Sequence, residues 1–535
     1  MIKAQNTSKR TGEMVTISRA EYESFQDLQG YVSQLEQQNR WLLEQLNIIR
    51  HRKFGASSEK SSEEVLEQLS LLFDEAEVYA AAEENQGEEP TEVPVRSYKR
   101  KKKVGSAREI LPEDVEVVTE EYGLSEEERT CTQCGEQMEV IGTEVQEQLV
   151  LIPAKAILRR RVYYVYACKN CEKNDISTPV VRTPLIPAVI PGSFASPEAI
   201  AYIMVQKFVM ASPLYRQEQE WNRLGIMLSR QTMSNWLLLS TERWLTPIYS
   251  ALRGRMILCD LLHSDETSLQ VLHERGKSAQ SKSSMWLYRT SGDAEYAIVL
   301  YEYQPGKNGE YPRDFLAGFE GYLQTDGAPY YNSVQHVIHV GCWAHARRNF
   351  FDATKAVDKG KRSPTADQGL AYCDRLFQLE KRFAQLTPEE RKHKRLEQSK
   401  PVLDAMLAWT ETRHAAPKSA LGKALNYVKN QWEPLTRFLM DGRIELSNNR
   451  AERSIKPFVI ARKNFLFANT PRGAQCSAVM FSLIETAKEN GLDPYKYLCY
   501  VLTQAPILSK MRGDWATLLL PEFAPAHCRV SVTED

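Results

Sequence analysis

Three acidic residues, Asp265, Asp326 and Glu452, stand in settings that suit metal-assisted chemistry on phosphate esters. Asp265 follows an apolar run at 256–262 (MILCDLL) that reads as a buried strand, ending at His263-Ser-Asp265-Glu266-Thr267. Asp326 closes a second such segment, Gly321-Tyr-Leu-Gln-Thr-Asp326-Gly, 61 positions later. Carboxylates at or just after the ends of strands can converge on one edge of a sheet. Glu452 opens a predicted helix in Ser447-Asn-Asn-Arg-Ala-Glu452-Arg453. Two Asp and one Glu offer the hard oxygen ligands that a pair of Mg²⁺ ions requires, with positions left open for phosphate oxygens and a nucleophile. Such a pair activates water or a 3′-hydroxyl and steadies the leaving oxygen of an in-line displacement. Neighbouring acids compete for these roles. Asp260 lies inside the apolar run, Glu266 points to the opposite face if the strand continues, and Glu485 has Lys488 one turn away, where a core-edge role is simpler. With 69 acidic residues in 535, spacing alone does not single out a triad.

A second chemistry resides in Cys131-Thr-Gln-Cys134-Gly and Cys168-Lys-Asn-Cys171, with 33 residues between the inner cysteines. Two C-x-x-C turns present four thiolates to a tetrahedral structural Zn²⁺, and Gly135 permits the tight backbone. A redox pair needs only one such turn. Cys342-Trp-Ala-His345, with His336 and His339 just before it, could be mistaken for another zinc site. Those two histidines precede Gly341 within an alternating strand, so four converging ligands are not expected. Trp343 and His345 are assigned to packing or DNA positioning.

The elements that must carry these residues follow from periodicity. At 25–49 the apolar residues keep a seven-residue repeat, with Phe25, Val32, Asn39 and Leu46 on one seam position and Leu28, Leu35, Leu42 and Ile49 on the other. A short coiled coil and self-association are expected, since a lone seam Asn selects a two-stranded register. Ser61 and Glu64 form a capping box for a second helix, completing a helical arm at 20–82. A charged linker at 83–110 passes from glutamates to Lys99, Arg100, Lys101, Lys102 and Lys103, a run that attracts phosphate without sequence preference. Alternation at 115–167, with RRRVYYVY at 159–166 as a strand, marks a β domain at 111–190 around the cysteines. At 191–250 the pattern is helical. Its centre reads as a helix-turn-helix: a helix at 215–224, a turn at Gly225, and Ser229 capping a second helix that turns Arg230, Gln231 and Ser234 outward. Strands and helices then mix through 251–500, with further strands at 285–289 and 296–303 and a helix at 313–319. The 125 residues between Asp326 and Glu452 exceed any sheet connection and read as a helical insertion at about 351–446. A C-terminal tail occupies 501–535.

Composition narrows the class. Hydrophobic residues at 42% and charged residues at 26% describe a multidomain globular α+β protein, and ten Cys are too few for a disulfide scaffold. Lys and Arg number 68 against 69 Asp and Glu, so a nucleic acid must be met by local patches. The stretch at 183–197 carries four prolines and is too short to span a bilayer, and Met1 to Glu13 lacks the apolar core of a signal peptide. A reducing cytoplasmic location on the nucleoid, with no membrane partner, is expected. Arg347, Arg348, Arg450, Arg453, Lys456, Arg462 and Lys463 flank the acids, where cations offset phosphate charge that carboxylates repel.

In these contexts the chain resembles the transposases of the insertion sequence 66 family. The likeness covers RKFGASSEK at 52–60, the paired C-x-x-C knuckles, LSRQTMSNW at 228–236, HSDET at 263–267 and YLQTDG at 322–327. It continues through CWAHARRNF at 342–350, SNNRAERSIKPFVIARKNFLF at 447–467 and SLIETAKENGLDPYKYL at 482–498. One departure is Glu522-Phe523 after Leu520-Pro521, where the family tends to carry a tryptophan-bearing ending. The resemblance implies a retroviral-integrase (RNase H-like) catalytic domain containing the insertion. It implies that Asp265, Asp326 and Glu452 are the magnesium ligands, and that the chain cuts and joins the ends of its own mobile element, assisted by small accessory proteins. The rival expectations are a catalytically silent DNA-binding accessory or regulator, and a nuclease that hydrolyses without joining.

Overall fold

The computed structural model describes residues 156–167, 180–356, 363–511 and 513–530. The helical arm, the basic run Lys99 to Lys103 and the cysteines 131, 134, 168 and 171 lie outside the described residues. The chain divides into two compact units, one containing residues 187–529 and the other 89–186 with 530–535. In the second unit the described strands are β1 (Val165–Ala167) and β2 (Val180–Arg182), paired antiparallel with Val165 opposite Arg182. The expected strand at 159–166 is thus shorter and shifted. Only its end finds a partner, Thr183 donating twice to the Tyr164 carbonyl, while Tyr164 and Tyr166 stay exposed.

The larger unit opens with four helices: α1 (Pro197–Phe208), α2 (Leu214–Arg223), α3 (Arg230–Ser240) and α4 (Thr246–Met256). Ser196 and Ser229 cap α1 and α3 by accepting backbone N–H bonds, and Gly225 turns the chain between α2 and α3 at φ +76°. A five-stranded sheet follows, built from β3 (Leu261–Gln270), β4 (Lys282–Thr290), β5 (Val299–Gln304), β6 (Tyr322–Gln324) and β7 (Ile338–Val340), with the short helix α5 (Glu310–Phe315) before β6. Its order is β5-β4-β3-β6-β7. The first two pairings are antiparallel and the last two parallel, so β3 is the central strand where direction changes.

The strand expected at 256–262 requires correction. Met256 ends α4, Leu258 is 80% exposed, and Asp260 lies in the turn, paired to Arg443 at 2.8 Å. β3 starts only at Leu261 and runs past Asp265, because Leu262, Ser264 and Leu269 are buried along a strand paired with β4 over its length. Asp265 is therefore within a strand, and the helix expected at 313–319 is α5, three residues earlier.

Between β7 and the last helices lie α6 (Trp343–Lys355), α7 (Pro364–Phe383), α8 (Pro388–Lys394), α9 (Lys400–Glu411), α10 (Ala420–Asn430) and α11 (Trp432–Thr436). They close a core of their own around Trp343, Phe350, Leu376, Phe377, Leu403 and Val428. The chain returns through α12 (Asn449–Phe465), α13 (Pro471–Glu489) and α14 (Pro494–Leu508). α13 packs on β5 inside the main core, which the sheet shares with α1, α3 and α4. Residues set apart in sequence as a tail belong to this body up to Arg529: Tyr497 donates to the Leu519 carbonyl at 2.7 Å, and Glu522 pairs with Arg255.

Candidate active site

β3 and β6 run parallel with Leu261 opposite Tyr322 and His263 opposite Gln324. Two residues further along both strands this register brings Asp265 level with Asp326, beyond the point where β6 ends. The crevice outside the carboxyl ends of parallel strands is the usual ligand site of such sheets. Gly327, at φ +85°, turns the chain directly after Asp326, whose Oδ1 accepts the Ala328 N–H at 2.9 Å.

Glu452 reaches the same crevice from the first turn of α12. Asn448, fully buried at the N-terminus of that helix, docks it onto β3. Its Nδ2 donates to the Ser264 carbonyl at 2.8 Å, its Oδ1 lies 3.1 Å from His263 Nδ1, and its backbone N–H donates to Cys342 Sγ at 3.1 Å. Burial pulls the His263 imidazole down to about 4, so this link is neutral at physiological pH.

The Asp265 carboxyl feels its neighbours. Burial first, then the negative charges of Glu266, Glu452 and Asp326, hold the Asp265 carboxyl well above the ordinary range. Asp326 is raised by burial, against the pull of the Ala328 N–H and the Lys307 ammonium. The Oε1 of Glu452 is buried without a hydrogen-bond partner, while Oε2 lies 3.4 Å from Arg348 Nη2. Three acids and one unsatisfied buried oxygen are a hard-oxygen donor set of the kind divalent cations take, although among the described residues it is Cys342, His345 and Glu452, not the three acids, that bring one ligand atom each within 4.8 Å of one another.

Sequence reasoning missed part of this surround. Glu266 does face away from Asp265 on β3, yet it is engaged: Lys307 Nζ at 2.6 Å, Tyr331 Oη at 3.0 Å, and Tyr330 all bond its carboxylate. Burial raises Glu266, opposed by those partners. Lys307 carries a cation to the rim of the acid cluster, and only its lone charge in a polar loop hinted at this. Tyr427, on α10, donates to the Asp326 carbonyl at 2.9 Å. Cys342, His345 and Glu452 place one ligand atom each within 4.8 Å of one another. His336 and His339 are not in that group, and His339 faces the Val334 carbonyl. Trp343 is wholly buried and donates to the Leu435 carbonyl at 2.7 Å, which is packing.

The family profile described as Transposase IS66 family matches residues 192–476, more than half of the chain. The chain belongs to this family. Further family profiles match in series: the zinc-finger binding domain of transposase IS66 at 128–172, the IS66 C-terminal element at 482–519, and Transposase C of IS166 homeodomain at 41–119. The zinc-finger match spans both C-x-x-C pairs. Among relatives from Sinorhizobium fredii, the uncharacterized protein y4hP is 31% identical over 484 residues, covering 85% of this chain and 84% of its own. The uncharacterized protein y4jD is 31% identical over 414 residues, covering 74% and 78%.

For a transposase of this family the cations divide by burial. Arg347 requires correction: it is 2% exposed and its Nε donates to Asp374 on α7 at 2.6 Å, so it ties α6 to α7 and offers no surface to DNA. Arg348 is half-buried on Glu452, and Arg450 is paired with Glu445. Arg453 and Lys463 are exposed on α12, with Lys456 half-buried between them. Arg462 donates to Thr267 Oγ1 at 3.1 Å and lines, with Lys463, Lys282 and Ser268, a groove of about 300 Å³ at the far end of β3. In the helical region Arg230 is 63% exposed beside Glu218, and Gln231 bonds Asn235 at 3.2 Å on the same outer face. Glu485 pairs with Lys488 at 2.8 Å on α13 and takes no part in the acid cluster. No helix among the described residues is long and apolar enough to cross a membrane.

Proposed function

We propose that this transposase cuts and joins DNA ends through Asp265, Asp326 and Glu452 on an RNase H-like sheet. One observation carries the reading: two acids level on adjacent parallel strands and a third on a helix docked to the central strand, with Asp265 raised by burial and then by the charges of Glu266, Glu452 and Asp326. Two Mg²⁺ ions, when bound, supply Lewis-acid activation of the attacking oxygen and stabilisation of the leaving one. The chain's own residues do the rest. Asn448 and the Gly327 turn fix where the carboxylates stand. Lys307, Arg453, Lys456 and Lys463 attract the phosphate backbone, Arg462 helps to line the groove beside it, and Arg230 and Gln231 present a polar helix face suited to a major groove. Outside the described residues, the run Lys99 to Lys103 adds sequence-independent attraction, the cysteines 131, 134, 168 and 171 hold structural Zn²⁺, and the seam at 25–49 pairs two copies. Accessory proteins of the same element and a nucleoid location complete the reading.

The test is incubation of the full chain with labelled duplexes carrying its element's ends, with Mg²⁺ or EDTA, and sizing of products. Joined products that require Mg²⁺ and vanish in Asp265→Asn, Asp326→Asn and Glu452→Gln, with folding intact, are expected. Unchanged products in any of the three remove that residue from the triad, and specific end binding with no cleavage points to the silent regulator. Cut but never joined ends identify a nuclease.

A further inference from the structure

The geometry points to a zinc site formed by Cys342 Sγ, His345 Nδ1 and Glu452 Oε1, whose occupancy withdraws Glu452 from Asp265 and Asp326. Only the consequence for activity rests on the catalytic reading of Glu452; the binding does not. The three ligand atoms lie within 4.8 Å of one another, and His345 Nδ1 stands 3.7 Å from Glu452 Oε1. Donors held about 2.0–2.3 Å from a tetrahedral ion are roughly 3.3–3.7 Å apart, so little movement closes the site.

Two of the three donors are otherwise idle. His345 Nδ1 and Glu452 Oε1 are both buried atoms with no hydrogen-bond partner, and the Glu452 side chain is 3% exposed. Arg348 holds Oε2 at 3.4 Å, which leaves Oε1 turned toward the imidazole. Cys342 and His345 are three apart at the start of α6, so the helix puts them on one face. The sulfur sits where two helices begin, as the residue before Trp343 of α6 and as acceptor of the Asn448 N–H at the start of α12. Burial, and then the Glu452 charge, push the Cys342 thiol up to about 12 against the pull of the Asn448, His345 and Ala344 N–H groups, so the thiol gives up its proton only as the metal binds.

The chemistry of the donor set separates this site from its neighbour. Asp265 and Asp326 offer hard oxygens suited to Mg²⁺, whereas a thiolate and an imidazole select Zn²⁺. On binding, the Zn–S bond forms as the thiol proton leaves to solvent, the neutral imidazole donates its Nδ1 lone pair, and the ionised carboxylate donates Oε1. Three protein ligands leave a fourth position open, and the His345 side chain, 27% exposed, borders the way in. An Oε1 bound to zinc is no longer free for the acid cluster.

The full-length protein, with its ribbon zinc retained, is equilibrated with excess ZnCl₂, desalted and analysed for metal. Cys342→Ser and His345→Gln are each expected to hold one zinc equivalent per chain fewer than the wild type, the thermal midpoints being compared before zinc is added. Two variants are used because Cys342 is packed in the core around α6; the one that melts like the wild type before zinc is added decides. Equal zinc content in the wild type and a normally folded variant overturns the site. In the cleavage assay, zinc added to Mg²⁺ reactions is expected to lower product at least tenfold in the wild type and much less in Cys342→Ser. Equal inhibition of both proteins overturns the competition, and a chain that makes no product at all defeats the catalytic reading while the metal count still judges the site.

Discussion

Replacing Asn448 with Ala tests whether one side chain assembles the acid cluster. Asn448 is fully buried, with Nδ2 on the Ser264 carbonyl at 2.8 Å and Oδ1 against His263 Nδ1 at 3.1 Å. Truncation removes both bonds and leaves two buried polar groups unsatisfied, each costing about 1–3 kcal/mol, so roughly 2–6 kcal/mol of stability is lost. The backbone bond to Cys342 Sγ survives, so α12 is loosened rather than released. Glu452 lies four residues further on, in the first turn of that helix. A displacement of about 1 Å in a catalytic group costs on the order of 10²-fold in rate. Asn448→Asp keeps an acceptor toward His263 but loses the donor toward Ser264 and adds charge to an already repulsive site, so it should be at least as damaging. Urea unfolding gives the stability and product formation on pre-cut ends gives the rate. A stability change below about 0.5 kcal/mol in Asn448→Ala, or a wild-type rate, refutes the docking argument.

Arg347→Ala should cost about 3 kcal/mol of stability by removing a buried guanidinium from its pair with Asp374, with DNA affinity unchanged in a filter-binding assay on the folded fraction. Lys463→Ala should do the reverse, leaving the thermal midpoint in place while weakening binding and reducing the slope of log affinity against log salt by about one. Glu302, on β5, has its carboxyl pushed up to about 7 by burial, so its contribution to stability is complete below about pH 4.5 and is lost as pH rises through 7. That loss amounts to about 3 kcal/mol, and Glu302→Gln should flatten this part of the stability profile measured by urea unfolding between pH 5 and 9.

The spacing of chemistry-bearing motifs was legible in the sequence, but the start of the central strand was not. The run at 256–262 is apolar throughout, and composition cannot tell that Met256 finishes a helix while Leu261 starts a strand. The start of α3 read more easily, since Ser229 acts locally on the N–H group three residues away. Partnerships made at long range left no local mark. Nothing near Asn448 announces Ser264, and nothing near Arg347 announces Asp374, so a cation expected on DNA proved to be an internal tie. The strand expected at 159–166 failed for a related reason: aromatic and β-branched residues favour pairing, but pairing needs a partner, and here it extends over three residues.

The helical insertion frames the site instead of merely interrupting it. Its helix α10 sends Tyr427 to the Asp326 carbonyl at 2.9 Å, and Gln431 just after it meets the Gly327 carbonyl at 3.4 Å, so the turn that aims the second acid leans on the insertion. Its last segment takes a bond from Gln324 of β6 at 2.7 Å through the Glu445 carbonyl, immediately before the loop that opens α12. The flanking helices α6 and α12 meet at the Cys342 sulfur, and Arg348 of α6 holds the Glu452 carboxylate. Asp326 is thus steadied from the insertion, while Glu452 is set by Asn448 on the sheet and by Arg348 of the flanking helix. A change in the insertion's packing therefore reaches the turn that carries Asp326 through Tyr427 and Gln431.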